Sequence, residues 1–209
     1  MAMYPDPNLF PQRAEELLAR PVTAAEVPAL LAANDELNRD VDETYSRLSR
    51  AKDEDTTDEA AAAAYLGFVT GILPEMQVLD DRMARKLLAV EGYEPPADLS
   101  SAWADMQEDV ELFREENVPL ITKLDELGQK YSELKGSMVI ELDGERLTYD
   151  AAQAKLQEPD RALRERAYRA IDAAREAQRA ASNEIFQEML ALRHQMARNA
   201  GLEDRKSVV

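Results

Sequence analysis

Histidine is the residue whose number decides which metal chemistry this chain can support. A thermolysin-type zinc site needs two neutral imidazoles one helical turn apart with a glutamate between them, which requires a His-Glu-x-x-His sequence. The chain contains one histidine, His194, and no cysteine. A carboxylate-bridged di-iron site would need Glu-x-x-His, but Ala191 stands three places before His194. The sequence therefore predicts no metal-binding residue, and His194 is interpreted as an ordinary helix residue, partly buried or solvated.

Nucleophilic and phosphate-binding chemistry is not indicated either. The 7 glycines are scattered along the chain and form no phosphate-cradling loop. A serine nucleophile needs an adjacent base, and the serines have neither a second histidine nor a nucleophile elbow around them. Carboxylate pairs such as Glu115-Glu116 are expected by chance among 42 acidic residues, and a solvated acidic face explains them. No catalytic and no cofactor-binding residue is predicted.

The charge balance and the absence of long apolar runs argue against nucleic-acid and membrane partners. The 209 residues include 25 Lys and Arg against 42 Asp and Glu, which gives a formal net charge of −17. Such a chain repels a phosphate backbone, so no nucleic-acid partner is predicted. The sequence shows no signal peptide and no run of about 18 apolar residues, which predicts no membrane partner and a cytoplasmic location. Residues 159–209 carry 10 basic and 8 acidic residues, so the earlier part of the chain holds the excess negative charge.

Helical periodicity and capping residues predict helices for most of residues 1–136. Thr23 and Glu26 have the spacing of a capping box, but Pro28 favours a start of the first long helix nearer to position 28. Gly71 and Pro74 predict a kink in the alanine-rich helix. The predicted helical segments are Leu9 to Arg20, about Pro28 to Leu48, Thr57 to Val90, Asp98 or Ser100 to about Arg114, and Asn117 to Gly136.

The strongest short-range signal is Asp143-Gly144, because a type I′ turn needs positive φ at both central positions. It predicts one antiparallel hairpin over about residues 137–149, followed by a short helix that Thr148 caps. Pro159 suits the first position of a long final helix over about 159–200. Apolar residues along that helix form a stripe at spacings near three and four, assigned to core packing: Leu163, Ala167, Ile171, Ala174, Ala181, Ile185, Met189, Leu192 and Met196.

The predicted fold class is therefore mostly α: a multi-helix lobe with two long helices and one small inserted antiparallel β-hairpin. Four aromatic residues lie on apolar helical faces and are predicted to fill the core rather than a binding site. These are Trp103, Phe113, Tyr131 and Tyr168.

Several of these signals occur together in one known family. The Asp143-Gly144 hairpin, the helix start Pro159-Asp160-Arg161 with Arg164-Glu165-Arg166-Ala167, and the helix end from Leu190 to Gly201 stand in the same order there. In these features the chain resembles the N-terminal half of the oligoendopeptidase F branch of the thimet-oligopeptidase-like zinc metallopeptidases. The resemblance extends more loosely back to about Tyr65.

This resemblance implies a function that the chain cannot carry out alone. Members of the family hydrolyse short peptides, with a zinc ion that polarises the scissile carbonyl and a motif glutamate as general base. The zinc and its ligands belong to the family's C-terminal half. Residues 1–203 are accordingly predicted to be the N-terminal helical lobe of such an enzyme, which would bind no zinc and be inactive without the missing C-terminal catalytic domain.

A second interpretation belongs to another functional class. The final helix would then be the partner-binding surface of a non-enzymatic helical interaction protein, with its apolar stripe as the interface. The quoted motifs favour the peptidase interpretation.

The last six residues, Asp204 to Val209, are predicted to be a non-native tail. At this point the family pattern would continue with an aromatic-rich segment, and the chain gives a polar hexapeptide instead. All six residues are compatible with the codons GAT CGG AAG AGC GTC GTG, the start of a widely used short-read sequencing adapter.

Overall fold

The structure is a computed structural model, and it describes residues 5–55 and 58–203. Two sequence predictions lie outside the described residues: the helix start at Thr57 and the tail over 204–209. The described chain divides into two compact units. The first unit comprises residues 5–122 and 197–203, and the second unit comprises Lys123–Met196.

The first unit is built from α-helices. In chain order these are α1 (Phe10–Ala19), α2 (Val27–Glu54), α3 (Glu59–Gly67), α4 (Leu73–Leu88) and α5 (Ser100–Leu112), with the beginning of α6 (Val118–Gly136). The start of α2 at Val27 confirms the prediction that Pro28 sets its beginning. Thr23 donates its backbone N–H and its hydroxyl to the Glu26 carboxylate over 2.8 and 2.7 Å, so the expected pair forms just before the helix.

An irregular turn lies where Gly71 and Pro74 predicted a kink. Residues Phe68–Ile72 form a π-helical turn between α3 and α4. Proline lacks an N–H and its ring crowds the carbonyl four residues earlier, here that of Thr70, and a wider turn relieves that contact. The stretch Glu59–Leu88 is long and apolar enough to cross a membrane by length and composition alone. Its Met76, Leu79, Met83 and Leu87 are core residues, as in the apolar helices of many soluble proteins.

The core of the first unit lies between α1, α2 and α4. The Phe10 and Phe68 rings meet edge to face with centroids 6.5 Å apart. Lys86 of α4 donates to the carbonyl oxygen of Leu18 over 2.6 Å and also to that of Arg20, so a cation neutralises the end of α1. The buried core residues are Phe10, Ala14, Leu17, Val27, Leu30, Leu37, Val41, Phe68, Met76, Leu79, Met83 and Leu87.

The second unit contains the predicted hairpin. Strands β1 (Val139–Leu142) and β2 (Glu145–Thr148) pair antiparallel, with Asp143 at φ 51° and Gly144 at φ 85° in the turn. Ile140 and Leu142 are buried, whereas Val139 on the alternate face is 42% exposed. The hydroxyl of Thr148 accepts a hydrogen bond from the Ala151 amide over 3.3 Å and begins α7 (Tyr149–Ala154), as predicted.

The predicted single final helix is wrong. The structure has α8 (Arg161–Ala177) and α9 (Arg179–Asn199), separated at Gln178. The prediction of Pro159 as the first helical residue is also wrong, because Asp160 is the N-cap and its carboxylate accepts from the Ala162 amide. The core of this unit packs α8 against the hairpin and α7 through Met138, Ile140, Ala152 and Ile171. A mostly α fold with one small hairpin is thus confirmed.

Candidate functional site

A cleft of about 600 Å³ opens in the first unit between α2, α4 and α5. Its size falls in the range of pockets that hold a small ligand or a few peptide residues. Residues spaced three and four apart on a helix share a face, and this spacing brings Gln77, Asp80, Asp81 and Ala84 of α4 to the cleft. In the same way α5 contributes Asp105 and Asp109, which lie one turn apart. We call this site the aspartate cleft.

Apolar side chains form much of the wall of the aspartate cleft. Met83 and Leu87 are 2% and 1% exposed and belong to the core of the unit, so this part of the wall is rigidly held. The apolar lining residues include Met83, Leu87, Met106, Val110, Phe113 and Ile121. A ligand that fits here must present apolar surface.

Within the part of the chain that the structure describes, every ionisable residue that lines the cleft is an aspartate. Burial raises the pKa of Asp80 to about 6, and the neighbouring charge of Asp42 adds to the rise. Burial disfavours the ionised form, and a like charge nearby acts in the same direction. Ionised Asp80 is therefore held at a cost in free energy that a cation in the cleft would reduce.

Two buried acceptor atoms at the cleft have no hydrogen-bond partner in the described part of the chain. They are Oδ1 of Asp81 and Oε1 of Gln77. The other carboxylate oxygen of Asp81 accepts from Nε of Arg85 over 2.7 Å, and the same guanidinium donates to the Val110 carbonyl over 3.0 Å. Arg85 is thus held by two partners at the edge of the cleft. Buried acceptors without partners are uncommon in native structures, and a water molecule or a ligand with N–H groups could supply the missing donor.

A second pocket, in the second unit, has cations that are already engaged. Arg175 donates to the Tyr149 hydroxyl and stacks over its ring, and Arg179 pairs with Glu176 over 3.0 Å. Lys135 lies 5.4 Å from the Tyr131 ring centroid. This pocket of about 870 Å³ offers a mixed surface without a clear charge preference.

Histidine 194 occupies a half-buried position on α9. Among residues 5–55 and 58–203, no group of three or more His, Asp or Glu side chains is placed to hold a metal ion. The side chains present, with one imidazole and no thiolate, do not fit a thermolysin-type zinc site. No catalytic step through zinc is therefore assigned to residues of this chain.

The predicted core aromatics divide into two pairs. Trp103 is half-buried and its ring lies 5.2 Å from that of Tyr93, and Phe113 is half-buried at the aspartate cleft. The prediction is wrong for Tyr131 and Tyr168, which are 45% and 61% exposed.

The predicted apolar stripe of the final helix is interrupted where the helix itself is interrupted. Ala167, Ile171 and Ile185 are buried, but Ala181, which follows the separation of α8 from α9 at Gln178, is exposed. Met189 and Met196 are half-buried.

Sequence reasoning missed the aspartate cleft. Its spacing signal, Asp105 and Asp109 on one helix and the pair Asp80-Asp81 on another, is visible in the sequence. With 42 acidic residues in the chain, such spacings recur by chance and give no ranking. Burial distinguishes Asp80 from the rest, and burial depends on which helices pack together.

Comparison with known proteins finds the same fold in solved structures. No family model matches the chain, and no curated protein matches it. Three solved structures do, each with a TM-score of 0.85 over 100% of this chain. One is named as an oligoendopeptidase F, at 22% identity. The others are Pz peptidase A with an inhibitor and an oligoendopeptidase F from Bacillus anthracis str. Ames, both at 18% identity.

The chain spans 38%, 38% and 39% of the length of these three structures. At such identities the match establishes the fold. The resemblance to oligoendopeptidase F that the sequence motifs indicated is confirmed at that level.

Proposed function

We propose that this chain is the N-terminal, non-catalytic part of a zinc metallo-oligoendopeptidase that hydrolyses short peptides. The observation that carries the proposal is the match of the whole chain to less than two fifths of three peptidase structures, at a TM-score of 0.85. The hairpin and helix motifs support the same assignment from the sequence, independently of the coordinates.

In this proposal the chemistry comes from polypeptide outside this chain. The donor set present here, one imidazole and carboxylates not grouped for a metal, does not fit the zinc site of such an enzyme. The chain would contribute helical walls that admit and position a short peptide. The zinc ion and the general base would come from the C-terminal catalytic domain.

The test compares this chain with a longer product of the same locus. Both are purified, their zinc content is measured, and both are given a quenched fluorescent peptide with and without a chelator. We expect chelator-sensitive hydrolysis and stoichiometric zinc from the longer product only. Chelator-sensitive hydrolysis by the 209-residue chain would contradict the assignment of a non-catalytic part.

A second candidate function is supported by exposed aromatic surface in the second unit. Tyr168 on α8 and Phe186 on α9 are 61% and 55% exposed, which suits an interface with a partner helix in a non-enzymatic interaction protein. Sedimentation velocity separates the two functions. A stable dimer that Phe186→Ser dissociates would favour the interaction protein, and a monomer favours the peptidase part.

A further inference from the structure

We propose that the aspartate cleft binds a short peptide segment that carries a lysine or arginine side chain next to an apolar side chain. Every residue that supports the proposal lies in the first unit of this chain. The proposal therefore does not depend on the peptidase assignment.

The sign of the ligand charge follows from the ionisable lining residues. Asp80, Asp81, Asp105 and Asp109 line the cleft, and no lysine, arginine or histidine among residues 5–55 and 58–203 does. Arg85 is held at the edge of the cleft by Asp81 and by the Val110 carbonyl. Asp42 adds further negative charge next to Asp80. The cleft therefore attracts a cation and disfavours an anion.

The donor requirement follows from the two buried acceptors. Oδ1 of Asp81 and Oε1 of Gln77 are buried and without a partner in the described part of the chain. An ammonium group offers three N–H donors and a guanidinium offers five. Peptide N–H groups add more, so a basic peptide segment satisfies acceptors that a hydrocarbon ligand would leave unpaired.

The apolar requirement comes from the wall of Met106, Val110, Phe113 and Ile121. A simple polyamine would cover this wall poorly, because it carries charge along its whole length. A leucine or methionine beside the basic residue would bury its side chain there at about 25 cal/mol per Å² of apolar area. A cleft of about 600 Å³ has room for both side chains.

The probe is a pair of blocked hexapeptides, acetyl-Ala-Leu-Lys-Leu-Ala-Gly-amide and the same peptide with glutamine in place of lysine. Each is titrated into the full, isotope-labelled chain while backbone amide shifts are recorded. We expect saturable shifts confined to residues 34–38, 77–87 and 102–121, with the glutamine peptide binding about five-fold or more weakly. Equal affinity for both peptides, or no saturable shift, would overturn the proposal. Equally tight binding of spermidine would overturn the choice of a peptide.

A matched pair of variants separates the cleft from the general negative charge of the chain. Asp105→Asn with Asp109→Asn removes two charges that line the cleft, and Glu108→Gln with Glu111→Gln removes two from the same helix outside it. The first pair is expected to weaken lysine-peptide binding about five-fold, and the second by less than about two-fold. Equal losses in the two pairs would show non-specific attraction and overturn the site.

The unaltered chain provides a test that needs no variant. Lysine-peptide affinity is expected to rise between pH 5 and pH 7.5, because Asp80, with a pKa of about 6, loses its proton in this range. The charged groups that face it or line the same cleft are Asp42, Asp81, Asp105, Asp109 and Arg85. Affinity that falls or stays constant over this range would contradict the placement of the cation next to Asp80.

Discussion

The side-chain amide of Gln178 donates a hydrogen bond to the backbone carbonyl of Leu134 over 2.6 Å. Leu134 lies in the last turn of α6, where carbonyl oxygens have no partner within the helix. Nζ of Lys135 lies 3.5 Å from the carbonyl oxygen of the same glutamine side chain. The residue that separates α8 from α9 is therefore also the residue that binds the end of α6.

Replacing Gln178 with alanine should destabilise the chain by about 1 kcal/mol, because it removes this hydrogen bond. The loss should not be larger, since the Ser137 hydroxyl also donates to the Leu134 carbonyl, over 3.0 Å. Urea unfolding followed by circular dichroism measures the change. The control is Gln187→Ala at an exposed position of α9, which changes the same residue type and should alter the stability by less than about 0.5 kcal/mol. Equal effects would mean that the contact contributes nothing.

Gly144 in the hairpin turn and Gly128 in α6 should respond oppositely to replacement by alanine. Gly144 has φ 85°, and no atom lies within 4 Å of a Cβ added there, so the cost of alanine is conformational. That cost is about 1 kcal/mol. Gly128 lies inside α6 with equal space around it, and alanine there should stabilise by about 0.5–1 kcal/mol. A thermal unfolding series on both variants checks the opposite signs, and stabilisation by Gly144→Ala would refute the turn assignment.

Features fixed by adjacent residues were predictable from the sequence. Asp143-Gly144 specifies its turn through the φ angles that these two residues tolerate. Thr148 caps α7 by accepting a hydrogen bond from the amide three residues later in the sequence. The break at Gln178 was not predictable, because neither glycine nor proline marks it, and the hydrogen bond from the Gln178 side chain reaches a carbonyl 44 residues away. The raised pKa of Asp80 likewise depends on the helices that bury it. The exposure of Tyr168 shows that an apolar helical position does not reveal whether anything packs against it.

Adjacent residues on α9 provide a test of which face is buried. Ile185 is 4% exposed and Phe186 is 55% exposed. Ile185→Ser should cost about 3 kcal/mol or more, because it removes buried methyl groups and places a hydroxyl in their position. Phe186→Ser should change stability by less than about 0.5 kcal/mol in the monomer. Comparable losses at the two positions, in a chain shown to be monomeric by sedimentation, would contradict the orientation of α9.

The carboxyl group of Asp80 should make stability depend on pH with an unusual sign. Its pKa is raised from 3.8 to about 6 in the folded chain, first by burial and then by the charge of Asp42. Between these two values the folded chain holds a proton that the unfolded chain has released, so the free energy of unfolding should fall as pH rises from about 4 to 6. Well above pH 6 the whole free-energy cost of ionising Asp80 is present, on the order of 3 kcal/mol. Asp80→Asn should therefore stabilise the chain at pH 7 by up to about that amount and little at pH 4.

The control, Glu108→Gln at an exposed position of α5, removes one negative charge without a buried carboxyl and should show no such pH-dependent gain. Urea unfolding at intervals between pH 4 and 7.5 measures the three proteins side by side. A gain from Asp80→Asn that is the same at pH 4 and pH 7 would mean that ionisation of Asp80 is not its source.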